Sequence, residues 1–154
     1  MTEIKNLDNL IKRLWPENGP KIEKIEKYIK KYAKEKIVIK CGGRVLLDPF
    51  LFDTFISDVS IIKKLGLTPI VVHGGGPRIK KKLDYLNIET KFIMGLRVTD
   101  EKVIKVVEDV MIEFNKEIVF ALKQKGCESK SINVKENNII TAEKKNEILG
   151  FVGK

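Results

Sequence analysis

Apolar residues follow two different periods along this chain, and the elements are marked by where the period changes. Near the N-terminus Ile4, Leu7, Ile11 and Leu14 recur at helical spacing, Pro16 and Gly19-Pro20 interrupt, and Ile22, Ile25, Ile29 and Tyr32 resume the pattern. This predicts a kinked helical arm over residues 1–34. Its narrow apolar stripe cannot keep it folded alone, so it packs on its own domain or on another subunit. From Lys36 the period shortens. Ile37-Val38-Ile39-Lys40 has the character of a buried strand and runs into Cys41-Gly42-Gly43. Asp48 then caps a helix with Pro49 in its first position, Leu51, Phe55, Val59 and Ile62 on the inward face and Gly66 at its end. A second strand over 70–73 leads into Gly74-Gly75-Gly76 and a helix from Pro77 to about Leu86. Phe92-Ile93 is a short strand or turn. The longest helix follows, with Thr99 as its expected cap, Asp100 and Glu101 in its first turn, and Val103, Val107, Val110, Phe114 and Ile118 along one face until Gly126. Beyond Cys127 short alternations at Ile132, Val134, Ile139, Ile140, Leu149 and Val152 suggest strands or hairpins. Consecutive strand–helix–strand units predict an α/β domain with a mostly parallel sheet flanked by helices.

Two of the connections are made of glycine. Each follows the carboxyl end of a strand, where a chain without Cβ atoms can approach a ligand closely and where unpaired N–H groups at a helix start attract anions. Two such loops in one small region suggest one shared site for a phosphate or carboxylate.

Composition adds limits. With 154 residues, 43% hydrophobic and 33% charged, the chain can bury one ordinary core. No apolar run approaches the roughly 20 residues that span a bilayer. The first residues lack the basic-then-apolar pattern of a signal peptide, so the expected location is cytoplasmic, without membrane attachment. Cys41 and Cys127 have no partners at metal spacing and read as reduced thiols, with Cys41 a candidate reactive one. The net charge of +9 is spread out, with ten Lys/Arg against six Asp/Glu in residues 1–36 and twenty against fifteen in the rest. No nucleic-acid recognition motif accompanies it, so a lysine-rich solvated surface that draws anionic substrates is preferred to a nucleic-acid partner.

With these residues in place, the chain resembles the amino-acid kinase superfamily and, within it, the N-acetylglutamate kinase family. The resemblance covers about Tyr28 to Lys154 and rests on Lys40-Cys-Gly42-Gly43, His73-Gly-Gly-Gly-Pro77, Gly95-Leu-Arg97-Val-Thr-Asp100, Asn115-Lys-Glu-Ile118 and Leu149-Gly-Phe-Val-Gly153, in order and at family spacing. It implies a three-layer αβα fold, with residues 35–154 as the acyl-substrate-binding half and an ATP-binding half expected beyond Lys154. The implied reaction is phosphorylation of the side-chain carboxylate of N-acetyl-L-glutamate by ATP with Mg2+, in arginine synthesis. By the same resemblance Lys40 stabilises the transferring phosphoryl group, Gly42, Gly43 and Gly74 bind phosphate, and Gly75, Gly76 and Arg97 bind the acyl substrate. No metal ligand is expected in this chain, and most of the nucleotide site is expected outside it, leaving the chain inactive alone. The family further implies a homodimer through the long helix, a hexamer through a kinked N-terminal arm, and arginine as a feedback inhibitor.

Blander readings stand beside these. Lys40 can be a strand-end surface lysine and Arg97 a solvated loop arginine. His73 reads as structural, since the acceptor carboxylate is already ionised and needs no general base. The His-Gly-Gly-Gly string also matches the oxyanion loop of esterases, but no Gly-x-Ser-x-Gly elbow occurs. Cys41 replaces a tyrosine or apolar residue common in the family, and Ser131 to Ala142 replaces a segment usually richer in Gly and Asp. The competing functions are an arginine-sensing, kinase-like regulatory domain of an acetylglutamate synthase, and a kinase for a related acid such as acetylaminoadipate.

Overall fold

The computed structural model of the chain describes residue 9 and residues 11–13, 21–133 and 142–153. Two parallel strands stand at its centre, β1 (Lys36–Cys41) and β2 (Thr68–His73), in register from Lys36 opposite Thr68 to Cys41 opposite His73. Around them lie α1 (Ile22–Tyr32), α2 (Pro49–Lys64), α3 (Gly76–Tyr85) and α4 (Glu101–Gln124). An antiparallel hairpin of β3 (Phe92–Ile93) and β4 (Leu96–Arg97) precedes α4. The result is the α/β arrangement expected, a parallel sheet flanked by helices.

The strands alternate in burial. Ile39 and Val71 pack against the main core, which joins Cys41, Leu46, Ile56 and Val59 to Phe114, Ile118 and Leu122 of α4. Val38, Lys40, Ile70 and Val72 are exposed. A second cluster, Ile79, Leu83, Val103 and Val110, fastens α3 to α4. Burying one large aliphatic or aromatic side chain is worth about 1.5–3 kcal/mol, so α4, which supplies residues to both clusters, is the principal support of the molecule.

Helix α2 begins as its sequence dictates: the Asp48 side chain accepts from Leu51 N at 2.9 Å and Pro49 follows at the first position. Its inward face is rotated from the expected one. Ile56, Val59 and Ser60 are buried, while Leu51 is exposed and Phe55 and Ile62 are half-buried. The apolar residues of α2 outnumber the places on one stripe, and contact with α4 selects among them.

Helix α4 differs at its start. Asp100, not Thr99, is the cap, and its carboxylate accepts from the N–H groups of Lys102 and Val103 at 2.9 Å. Thr99 is committed elsewhere, because its N–H donates to Leu149 O and its carbonyl accepts from Phe151 N. That pairing brings Thr99 opposite Gly150, where any Cβ would collide with the Thr99 carbonyl and φ is +69°. The alternation expected at Leu149 and Val152 thus belongs to a paired segment, in which Lys144 also opposes Gly153. Val134, Ile139 and Ile140 lie outside the described residues.

Of the N-terminal arm, α1 is present as expected. Ile25 and Ile29 are buried with Ile11 against Leu65, at the end of α2, so this part of the arm packs on its own domain. The kink residues Pro16, Gly19 and Pro20 lie outside the described residues, as do Ile4, Leu7 and Leu14.

Candidate functional site

In a parallel pair both strands end at the same edge, and the register of Cys41 with His73 sets the two glycine loops side by side. Gly74 N donates to Cys41 O at 3.2 Å. A Cβ on Gly43 would stand 2.6 Å from Gly74 O and 3.2 Å from Pro77 Cδ, and one on Gly75 would run into Met111 Sδ. Gly43 is therefore required by packing against backbone, whereas a side chain at Gly75 would displace the flexible end of Met111. Gly42 and Gly76 have nothing within 4 Å of a Cβ position and leave the main chain bare. Among the described residues no side chain caps α3, which starts at Gly76, so the N–H groups of Gly76 and Arg78, on either side of Pro77, are left for an anion. Lys40 lies on the exposed face of β1, opposite Val72 and two residues before Gly42. The fold thus brings together Lys40, Gly42, Gly43, Gly74, Gly75 and Gly76, the residues singled out for phosphoryl and substrate contact.

Arg97 stands apart from them. Its guanidinium donates to Thr90 Oγ1 at 2.6 Å and lies 4.6 Å from the centre of the Phe92 ring. It lines a cavity of about 480 Å3 shared with Lys80, Asp84 and Glu89, to which neither glycine loop contributes. Thr90 engages one of the five guanidinium donors and leaves the others available. A larger cavity of about 880 Å3 runs between β2 and α4, past Ile70, Val72, Met111 and Val119.

Five residues given no ligand role by sequence reasoning gather at the triglycine loop: His73, Arg78, Met111, Phe114 and Glu117. His73 meets the Phe114 ring edge-on at 4.8 Å, and Arg78 Cζ lies 3.8 Å from the same ring's centre. Arg78 also pairs with Glu117 at 2.7 Å. Met111 touches the loop at Gly75. The sequence held one signal for this group, an arginine directly after Pro77 in the first turn of α3, where a cation opposes the helix dipole unless an acid partner holds it. Burial pushes the His73 imidazole below its usual value; a hydrogen bond with Asn115 acts against the shift, and the Arg78 charge adds to it. Burial pushes the Cys41 thiol up, which removes it as a reactive thiolate. Among the described residues no group of three or more His, Cys, Asp or Glu can hold a metal ion, and no helix is long and apolar enough to cross a membrane.

Comparison with known proteins agrees with this geometry. Residues 35–154 match the model of the amino acid kinase family. A protein of Pelagibacter ubique named acetylglutamate kinase is 58% identical over 139 residues, covering 90% of this chain and 48% of its own. Another of that name from Petrotoga mobilis is 46% identical over 130 residues, covering 82% and 44%. The chain thus spans about half the length of these relatives. Two solved structures of N-acetylglutamate synthase from Neisseria gonorrhoeae share the fold, with TM-scores of 0.56 and 0.53 at 20% and 18% identity over 67% and 72% of this chain and 24% and 26% of theirs. From a family model over most of its length, and two glycine loops meeting at one sheet edge, it follows that the chain belongs to the amino acid kinase family.

Proposed function

We propose that this chain forms the substrate side of an acetylglutamate kinase, an enzyme that uses ATP to phosphorylate the side-chain carboxylate of N-acetyl-L-glutamate to an acyl phosphate. The observation that carries the reading is the 58% identity over 139 residues to a protein of that name. A carboxylate attacking a phosphoryl group brings anions together, so the work falls on positioning and charge neutralisation. Lys40 offsets charge on the transferring group, and the N–H groups of Gly42 and Gly43 receive its oxygens; Gly74, whose N–H is engaged by Cys41 O, borders the phosphate through its bare Cα. Gly75 and Gly76 let the acyl substrate approach the main chain, and Arg97 grips its α-carboxylate through the donors that Thr90 leaves free. His73 takes no proton, because a carboxylate is already ionised at neutral pH. The remaining nucleotide contacts come from the part of the relatives' length that this chain does not span, and no step is assigned to Mg2+. Self-association through α4 fits Phe120, which is 65% exposed on a helix otherwise charged outward. Arginine inhibition and a hexamer built through residues 1–34 remain part of the same proposal.

The fold neighbours keep a synthase regulatory domain as the second reading. Their identities, 20% and 18%, speak for fold alone, whereas the relatives at 58% and 46% carry the kinase name. Calorimetry of the chain with N-acetyl-L-glutamate, and with its one-carbon-longer homologue, tests the reading. Saturable binding is expected, stronger for acetylglutamate. Arg97→Lys keeps the charge but loses the fork, weakening binding by about 1.5–3 kcal/mol, the worth of a hydrogen bond to a charged group. Unchanged affinity in Arg97→Lys returns Arg97 to a solvated loop.

A further inference from the structure

One aromatic ring holds both ends of the triglycine loop. On the N-terminal side His73 meets Phe114 edge-on, with ring centres 4.8 Å apart and planes at 74°. On the C-terminal side Arg78 lies on the same ring, its Cζ 3.8 Å from the centre, while its Nη1 donates to Glu117 Oε1 at 2.8 Å and lies 2.7 Å from Oε2. Between these anchors Gly75 abuts Met111. Met111, Phe114 and Glu117 are spaced by three along α4 and so share a face.

This arrangement carries a cost that packing alone does not explain. Phe114 is fully buried, and beside it Arg78 Nε is buried without a hydrogen-bond partner among the described residues. Leaving one such atom unpaired costs about 1–3 kcal/mol. Apolar residues of similar volume would fill the space without that cost. What they would lose is the fixing of both loop ends. Three consecutive glycines have the greatest backbone freedom a chain can have, and N–H groups serve an anion best when their direction is set before it arrives.

We propose that Phe114, Arg78 and Glu117 are positioning residues, and that this face of α4 is a seat holding the Gly75 and Gly76 N–H groups in the geometry that receives an anion. The functional side of this inference rests on the kinase reading; the seat itself does not.

Backbone 15N relaxation of the 154-residue chain tests the seat without any ligand. In the wild type the Gly74–Gly76 order parameters should stand near about 0.85, and in Arg78→Met they should fall below about 0.6, with the Ile56–Ser60 amides unchanged. Arg78→Lys, which can keep the Glu117 pair but not the stack, should fall between. Ile118→Val, a core change elsewhere on α4, should lower stability and leave the loop rigid. Calorimetry with N-acetyl-L-glutamate should show affinity falling about tenfold in Arg78→Met and holding in Ile118→Val, because the variant loop must be ordered on binding. Loop order parameters that stay at the wild-type value in Arg78→Met overturn the seat, and Arg78, 27% exposed, can be replaced without opening the core. If the loop loosens as expected while the wild-type chain binds no acetylglutamate, the seat stands and the substrate reading falls.

Discussion

At the scale of single residues the glycines at the sheet edge divide by what a methyl group would meet. At Gly43 it would strike the Gly74 carbonyl, at Gly75 it would displace the end of the Met111 side chain, and at Gly76 it would meet nothing within 4 Å. Gly76→Ala should therefore raise stability by about 0.5 kcal/mol, since alanine costs less entropy in a helix, yet weaken acetylglutamate binding if the substrate lies against the bare main chain there. Urea unfolding and calorimetry on the one variant read both signs. His73 carries the second residue-scale prediction. It is the chain's only histidine, and its imidazole is held below the usual value first by burial. Protonation is then easier in the unfolded chain, so stability is complete at neutral pH and declines as pH drops below 6.5, the ordinary histidine value, towards the folded one. His73→Gln should flatten that part of the profile. Urea midpoints for both chains at about pH 7.5 and 5.5 decide it, since unperturbed carboxylates titrate mostly below that range; equal slopes would contradict the assignment.

At the scale of elements, the start of α4 shows how one cap is chosen from two. Thr99 and Asp100 are both good cap residues, but only Asp100 accepts the N–H groups of Lys102 and Val103. Asp100→Ala should cost about 1 kcal/mol, the usual worth of a cap, whereas Thr99→Ser, which keeps the hydroxyl that donates to Arg97 O, should cost less. Chemical denaturation of both variants measures the difference, and a larger loss in Thr99→Ser would restore Thr99 as the cap. The consequence reaches the Arg97 strand, because Thr99, two residues after Arg97, is fastened to the Leu149–Phe151 segment.

At the scale of the whole molecule, the proposed function gives Lys40 and the glycine loops one side of a phosphoryl-transfer site, in a chain spanning about half its relatives' length. Transfer needs donor and acceptor held in line. The purified chain should therefore trap no acyl phosphate with hydroxylamine above background when given ATP and N-acetyl-L-glutamate; trapped product would show the site complete. The exposed Phe120 on α4 gives the second prediction at this scale. Phe120→Glu should shift sedimentation from dimer towards monomer without altering the fold, and an unchanged profile would move the contact away from α4.

Local chemistry alone determined much of this protein. The strand runs at Ile37 and Ile70, the Asp48-Pro49 start of α2, the glycine loops and the long helix ending before Gly126 each depend on residues a few positions apart, and each is found where the sequence places it. Tertiary structure decided what depends on distant partners. Which stripe of α2 faces inward was settled by α4, and the cap of α4 by a segment some fifty residues further on, which took Thr99 out of contention. Arg97 was recognisable from its motif, but its stacking on Phe92 follows from the hairpin. The seat beneath the triglycine loop was the least legible feature, since Arg78 and Glu117 are 39 positions apart and Phe114 looks from sequence like any buried helix residue. Periodicity reports that a side chain is buried; only the packed fold determines which neighbours it meets.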